Sequence, residues 1–424
     1  MTTPPSASTS RKPSLTVLVG AGGSYDLGVP LTDAVTSIVR RQFEEPSRDY
    51  PNFFKDAGDA ERLRLLLSAA ESHFGPKMNF EHLFEFIESG LALHEGWTQK
   101  RDTIAEAGWT QPKKELEGLF RGDDGYAEFL SNCRIMLECT VEDAISAASA
   151  QATQHEHWST FRAFWSALEA NFDLTVATVN YDTLIEQALG WGGAEQGFEP
   201  AEGSRGWVLR PKRVHAAQRH RLFHLHGSIL FKGSAYGDTT HHWNAASGGW
   251  DIKWFPSAEE ASFAGTANLG RTGYGRELLG GHLITGLHKT DKVAVEPFGT
   301  YYEATANELR ACPRLLVIGY GFADPHINRL VRRMTRDHED ARRIACVDFI
   351  RIPLEIASNS RNGLVEAMHL WSGDRSFRWH DSMFMTGLDP KEPWSSPQGH
   401  AQLYWRGFLD AAGRADDVVG FFQR

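Results

Sequence analysis

The feature that most constrains this chain is residues 15–30, Leu-Thr-Val-Leu-Val-Gly-Ala-Gly-Gly-Ser-Tyr-Asp-Leu-Gly-Val-Pro. An apolar, β-branched run of strand length breaks into Gly20, Gly22, Gly23 and Ser24. After Pro30, Leu31, Ala34, Val35, Ile38 and Val39 recur at helical spacing. Strand, glycine turn, helix is how an α/β protein presents backbone N–H groups and a helix N-terminus to a phosphate. A side chain in such a turn blocks the approach, and the turn often needs φ > 0. The stretch fits neither familiar phosphate loop in full. The dinucleotide fingerprint asks for glycine at its first, third and sixth positions; Gly20 and Gly22 comply, but the sixth is Tyr25 and the next glycine is Gly28. A P-loop is excluded because no Lys-Ser/Thr follows. The turn therefore admits two readings, a phosphate cradle or a tight strand-to-helix connection without a ligand.

Composition narrows the rest. At 424 residues the chain suits one large α/β domain with insertions, or two to three domains. Its net charge of −10, from 54 acids against 44 bases, argues against direct nucleic-acid binding by the chain as a whole. Cysteines 133, 139, 312 and 346 include no Cys-x-x-Cys pair, which is neither a disulfide framework nor a zinc ribbon and suits a reducing cytoplasm. No apolar window approaches a membrane span. Residues 1–13 lack an apolar signal core and are expected to form a disordered leader.

The chain then alternates between helical and sheet character. Residues 61–74, 79–94, 126–148 and 157–170 carry amphipathic stripes, such as Leu63, Leu66, Leu67 and Ala70 in the first. They predict a mainly helical insertion over 41–170, packed on a sheet or used in part as an interface, with 95–125 looping out. Strand character returns at 172–179, 222–225, 314–318 and 343–349. Helices are expected at 300–309 and 325–334, a glycine-rich loop at 190–210 and a loop-rich flap at 233–281. Residues 357–424 form a C-terminal extension with a helix near 403–411. Asn180 and Asp182, His226, the Gly319–Gly321 turn and Asp348 each follow a strand, as the first glycine turn does. In an open parallel sheet these strand ends share one crevice. The predicted fold is α/β, a Rossmann-like parallel sheet with helices on both faces and a large inserted helical subdomain.

Taken together these stretches resemble the sirtuin-like family, and its bacterial anti-phage defence branch more than the lysine deacylases. Gly20-Ala-Gly-Gly-Ser24 with Gly28-Val-Pro30 resembles the family's glycine loop. Thr178-Val-Asn180-Tyr-Asp182 resembles its Asn-x-Asp motif, and Leu225-His226-Gly227-Ser228 its catalytic His-Gly stretch. Val317-Ile-Gly319-Tyr-Gly321-Phe-Ala-Asp324-Pro-His326-Ile-Asn328 resembles the branch's late signature, with Gly321 in place of serine. The chain departs from the deacylases where Leu31-Thr32-Asp33 replaces their Asp-Phe-Arg, and in lacking their four-cysteine zinc set.

The resemblance implies that NAD+ is bound and its nicotinamide–ribose bond broken through an oxocarbenium-like state, so positioning carries much of the catalysis. On that basis Gly20, Ala21, Gly22 and Ser24 cradle the pyrophosphate, and Asn180 holds the ribose hydroxyls or the attacking water. By the family pattern Asp182 lies near the nicotinamide carboxamide. His226 is the general base. Gly319 and Gly321 admit the adenosine half, and Asp324 or Asp348 binds a ribose hydroxyl. Each residue also has a plain structural reading: Asn180 as a helix cap, Asp182 as a first-turn acid, His226 as a buried structural histidine. His224 and His226 share a strand face without a third ligand at useful spacing, so no metal is expected.

The functional expectation is an NAD+ hydrolase effector, releasing nicotinamide and ADP-ribose, held weakly active until a partner or homo-oligomeric assembly switches it on. The expected sensor is a ring-shaped DNA-translocase-type ATPase or an Argonaute-type complex, because the chain shows no sensor of its own. Alternatives are a protein deacylase or ADP-ribosyltransferase, a non-catalytic NAD or ADP-ribose sensor, and an ordinary dehydrogenase.

Overall fold

The computed structural model describes residues 12–46, 54, 58–98, 126–202, 206–216, 218–234, 251–263, 270–271, 277–278, 282–285, 292–293, 296–349, 392–396 and 398–424. In chain order, strand β1 (Ser14–Val19) leads through the glycine turn to helices α1 (Thr32–Glu44), α2 (Asp59–Phe74), α3 (Phe80–Thr98), α4 (Tyr126–Ala152) and α5 (Trp158–Asn171). Strand β2 (Asp173–Thr178) and helix α6 (Leu184–Leu189) follow. Short strands β3 (Phe198–Pro200) and β4 (Trp207–Leu209), helix α7 (Pro211–Val214) and strand β5 (Arg221–His224) come next. Strands β6 (Phe231–Ser234) and β7 (Asp251–Trp254), helix α8 (Ala258–Phe263) and the small pair β8 (Gly270–Arg271) and β9 (Glu277–Leu278) precede helix α9 (Phe298–Ala311). The last third holds β10 (Arg314–Ile318), α10 (Pro325–His338), β11 (Arg343–Val347), β12 (Trp394–Ser395), β13 (Ala401–Tyr404), α11 (Phe408–Ala412) and α12 (Ala415–Gln423).

Seven strands form the main sheet in the order β12-β13-β11-β10-β1-β2-β5, parallel except for β12. Leaving out that edge, the parallel strands run 3-2-1-4-5-6 in chain order, the dinucleotide-fold arrangement, whose order reverses between β1 and β10. The Rossmann-like architecture is thus present. The parallel strands are mostly apolar and largely buried, β2 along its whole length, because both faces are covered. Val17 and Val19 of β1 and Leu316 and Ile318 of β10 enter a core shared with α1–α5, α11 and α12. The residues between them, Leu18, Leu315 and Val317, enter a second core under α9, α10 and the small antiparallel sheet.

Several boundaries differ from expectation. Residues 190–210 contain β3 and β4, which join β7 and β6 in a four-stranded antiparallel sheet. Their three-residue length leaves too little periodicity to be read locally. The expected helix near 403–411 is instead β13 followed by α11, so the tail supplies a strand of the main sheet beside β11. Phe408 then packs on Phe161 and Phe164 at 5.2 Å. Lys12 and Pro13, placed in the leader, are tied down: the Lys12 ammonium donates to the Glu169 carbonyl and the Asp173 N–H to the Pro13 carbonyl. Residues 1–11, most of the 95–125 loop and most of the 233–281 flap lie outside the described residues.

The two halves meet at the switch point through backbone alone. Gly20 N–H donates to Ile318 O at 2.9 Å and Gly22 N–H to Gly319 O at 3.0 Å. Gly319 has φ +57°, and a Cβ there would stand 2.1 Å from Gly23 N. Gly319→Ala is therefore expected to cost about 3 kcal/mol or more, from steric overlap plus left-handed strain; chemical denaturation followed by circular dichroism measures it. Phe408→Ala should cost about 3–5 kcal/mol by the same assay, as a large aromatic removed from a closed core.

Candidate active site

The expected residues gather at the carboxyl ends of β1, β2, β5 and β10. After β2, the Asn180 side-chain amide donates to Gly20 O at 3.1 Å and to the Ser24 hydroxyl oxygen at 3.2 Å, 160 and 156 residues away in sequence. The Ser24 side chain also favours the ionised form of the Asp182 carboxyl. Asp182 Oδ1 also accepts the Leu184 N–H at 3.2 Å, at the start of α6. Burial pushes the Asp182 carboxyl above its ordinary range, opposed by the Leu184 hydrogen bond and by Ser24. One oxygen of each side chain, Asn180 Oδ1 and Asp182 Oδ2, is buried without a hydrogen-bond partner among the described residues. Burying an acceptor unmet costs about 1–3 kcal/mol, and both oxygens are free to accept a hydrogen bond.

His226 lies after β5 and is 7 % exposed. Its Nε2 stands 2.9 Å from Asp324 Oδ2. Asp324 is the N-cap of α10: its other oxygen accepts the N–H groups of His326 at 2.8 Å and Ile327 at 3.3 Å, ahead of Pro325 at the first helical position. Burial alone would raise this carboxyl, but the His226 hydrogen bond and charge and the two N–H groups outweigh it, and its pKa falls to about 2. A carboxylate so firmly ionised accepts a proton-bearing Nε2, which leaves Nδ1 of His226 as the basic nitrogen. An Asp-Pro-His sequence signals a helix cap, so the capping role was legible. The bond to His226 joins residues 98 apart and left no local trace.

His224 does not share a site with His226. Its Nε2 meets Glu186 Oε1 at 2.7 Å and its Nδ1 faces Asn180 O at 3.3 Å. Burial depresses the imidazole, but Glu186 overcomes this and raises its pKa. The two histidines on one strand face thus turn to separate carboxylates, His224 to Glu186 and His226 to Asp324. The four cysteines lie on α4, at the end of α9 and in β11, and all are free.

The glycines behave differently from expectation. The N–H groups of Gly20 and Gly22, expected to face a phosphate, are spent on β10 and the turn after it. The Ser24 hydroxyl is buried among Asn180 and Asp182. Ala21 opens a 3₁₀ turn, the position whose N–H no carbonyl of the turn takes up. The space Gly319 provides is filled by Gly22 and Gly23, whereas Gly321 faces open space. In this stretch the close approach is between the protein's own turns.

Asp348 ends β11 beside that junction, since the neighbouring Val347 carbonyl accepts the Gly319 N–H at 2.8 Å. Burial pushes its carboxyl up to about 6. The folded state therefore holds this proton more tightly than the unfolded chain. The stability it contributes is full below the ordinary value of 3.8 and is lost as pH rises through about 6. Asp348→Asn should raise unfolding free energy at pH 8 by about 1–2 kcal/mol after solvent screening, with the gain gone at pH 4. Melting curves at the two pH values check this.

A SIR2-like domain model matches residues 174–247, the stretch holding β2, Asn180, Asp182, β5 and His226. No curated protein matches the chain significantly. The matched segment includes both sides of the Asn180–His226 pair, and the strand order around it is that of a dinucleotide fold. Residues 174–247 are thus similar to a SIR2-like domain, which supports a sirtuin-like, NAD-related reading of this part of the chain.

Proposed function

We propose that this chain hydrolyses NAD+ to nicotinamide and ADP-ribose as the effector of a bacterial anti-phage system. What supports this reading is a carboxylate-paired histidine, His226, after β5, and two acceptors without a partner among the described residues, Asn180 Oδ1 and Asp182 Oδ2, after the neighbouring strand β2. The acceptors suit hydroxyl and carboxamide donors of the kind NAD+ carries. The bond broken is the glycosidic C–N bond; its electron pair leaves with neutral nicotinamide. Water forms the new C–O bond and gives its proton to His226 Nδ1, while Asp324 steadies the imidazolium. Asn180 orients the ribose or the water, because its amide nitrogen is pinned by Gly20 and Ser24 and its oxygen is left to accept.

Deacylation is disfavoured by the missing Phe-Arg continuation after Pro30, where α1 begins at Thr32. Constant NAD+ destruction would kill its host, so the activity waits on a partner or on homo-oligomeric assembly. The partner supplies sensing as a ring-shaped DNA-translocase-type ATPase or an Argonaute-type complex. No helix among the described residues is long and apolar enough to cross a membrane, in keeping with an effector that meets cytoplasmic NAD+.

With the activating partner present, the chain should release nicotinamide and ADP-ribose, measured chromatographically. Asn180→Ala and His226→Ala should each lower the rate at least 100-fold, and Asp324→Asn about 10–100-fold, the usual range for losing a general base or its orienting partner. Equal release by wild type and both alanine variants would refute the assignment. Acetyl-peptide consumption coupled to NAD+ loss would instead favour a deacylase.

A further inference from the structure

His226 sits on a loop that the main sheet steadies from one side only. Among the described residues β5 is the outermost strand of that sheet on its side, with β2 beside it. An edge leaves backbone groups unpaired and needs covering. On β5 itself Leu222 N–H donates to Glu195 O at 3.0 Å, and the loop beyond it that carries His226 is covered by residues 282–285. Ile284 N–H donates to the His226 carbonyl at 2.6 Å, and Leu283 forms an antiparallel bridge with Gly227. The same Ile284 accepts, through its carbonyl, the hydroxyl of Tyr181 at 3.3 Å, and Tyr181 stands between Asn180 and Asp182. One residue therefore touches both catalytic loops. The approach is so close that a Cβ on Gly227, whose φ is +101°, would stand 1.9 Å from His282 O.

Both ends of this segment are fastened to the helical insertion by buried polar groups: Lys292 pairs with Glu88 at one end, and at the other the imidazole of His282 is held well below its ordinary pKa by burial and by Lys232 and Arg134. The His282 ring reaches Glu138 through Nδ1 at 3.3 Å and Glu142 through Nε2, both on α4. Lys232 adds 2.6 Å bonds to both Glu142 oxygens and stands 3.2 Å from His282 Nε2. At the other end, the Lys292 ammonium donates to the Thr285 carbonyl at 2.6 Å and to both oxygens of Glu88 on α3, at 2.8 and 2.9 Å. Arg134 links Glu88 to Glu138, each at 3.2 Å. The acids Glu88, Glu138 and Glu142 are thus matched by Arg134, Lys232 and Lys292. With its negative charge met by the protein's own cations, the cluster that could otherwise gather a metal ion acts as a fastening. Such a cluster adds little net stability, but removing one member leaves a buried charge unmet.

We propose that residues 282–285 are a positioning strap through which helices α3 and α4 set the placement of His226 and of the Asn180–Asp182 loop. Glu88, Lys292 and His282 are then positioning residues that never touch substrate. A shift of α3 against α4, as a partner docking on the insertion would cause, reaches the catalytic pair through the strap. This rests on the NAD-cleaving reading for its effect on rate, while the mechanical coupling stands without it.

The paired replacement Glu88→Gln with Lys292→Met tests the strap, because it removes both charges together and strands neither. Tyr181→Phe removes the Tyr181–Ile284 bond alone and serves if the double variant fails to fold. In the whole 424-residue chain, hydrogen exchange read by mass spectrometry should quicken at least 10-fold in peptides covering 221–231 and 282–285, while β11 and β13 stay as in wild type. In the NAD+ assay, kcat should fall at least 10-fold with KM within about two-fold, as misplacement of the reacting groups requires. Unchanged exchange at 221–231 with the strap loosened would overturn the proposal. So would wild-type kcat in a variant whose exchange has quickened. The exchange arm needs no NAD+, so failure of the hydrolase reading and failure of the strap give different results.

Discussion

The structure hinges on the backbone-to-backbone contact of two glycine turns, Gly20–Gly23 after β1 and Gly319 after β10. These strands are neighbours in the sheet but come from opposite ends of the chain, and the strand order reverses between them. Helices leaving such a point diverge to opposite faces and open a crevice. The turns here close against each other, with Gly20 and Gly22 donating to Ile318 and Gly319. The floor of the crevice is thus fixed by hydrogen bonds that continue the sheet beyond its last residues. A side chain at Gly20, Gly22 or Gly319 would meet backbone at under 3 Å, which neither turn can yield without parting the strands. Asn180 is built on that floor, because its amide nitrogen bonds to the Gly20 carbonyl and to Ser24.

That dependence explains which features could be seen in the sequence. Strands β1, β2, β10 and β11 and the amphipathic helices were legible because periodicity and apolar runs are local properties. The position of Asn180, His226 and the glycine turns after neighbouring strands of one sheet was legible because each follows an apolar run. The role of the glycines did not. A glycine that admits a phosphate and one that admits another turn look the same in sequence, and the partner turn lies some 300 residues away. The second role of Asp324 was hidden for a related reason. Its cap accounts for one oxygen, and only the fold brings His226 to the other. Strands β3, β4 and β13 are too short for a period-2 pattern to stand out from a loop.

Buried polar groups in this protein sort into two kinds, and the difference separates a site from its support. Glu88, Arg134, Glu138, Lys232 and Lys292 form a network in which each charge has a counter-charge at hydrogen-bonding distance. At the cleft, Asn180 and Asp182 each use one end of the side chain to hold position and leave an oxygen unmet. Half-satisfied groups cost stability, and proteins keep them where a ligand completes the set.

The placement of His226 brings the two kinds together. A general base must be held to a fraction of an ångström, and elements paired on both sides hold better than loops at an edge. Among the described residues His226 follows the outermost strand on its side of the sheet, so one side of its loop depends on residues 282–285, and these depend on the charges of α3 and α4. Asp324 fixes the far end of the imidazole from α10, on the opposite face of the sheet. The ring is therefore held between an element of each face, while Asn180 is held by the sheet's own floor.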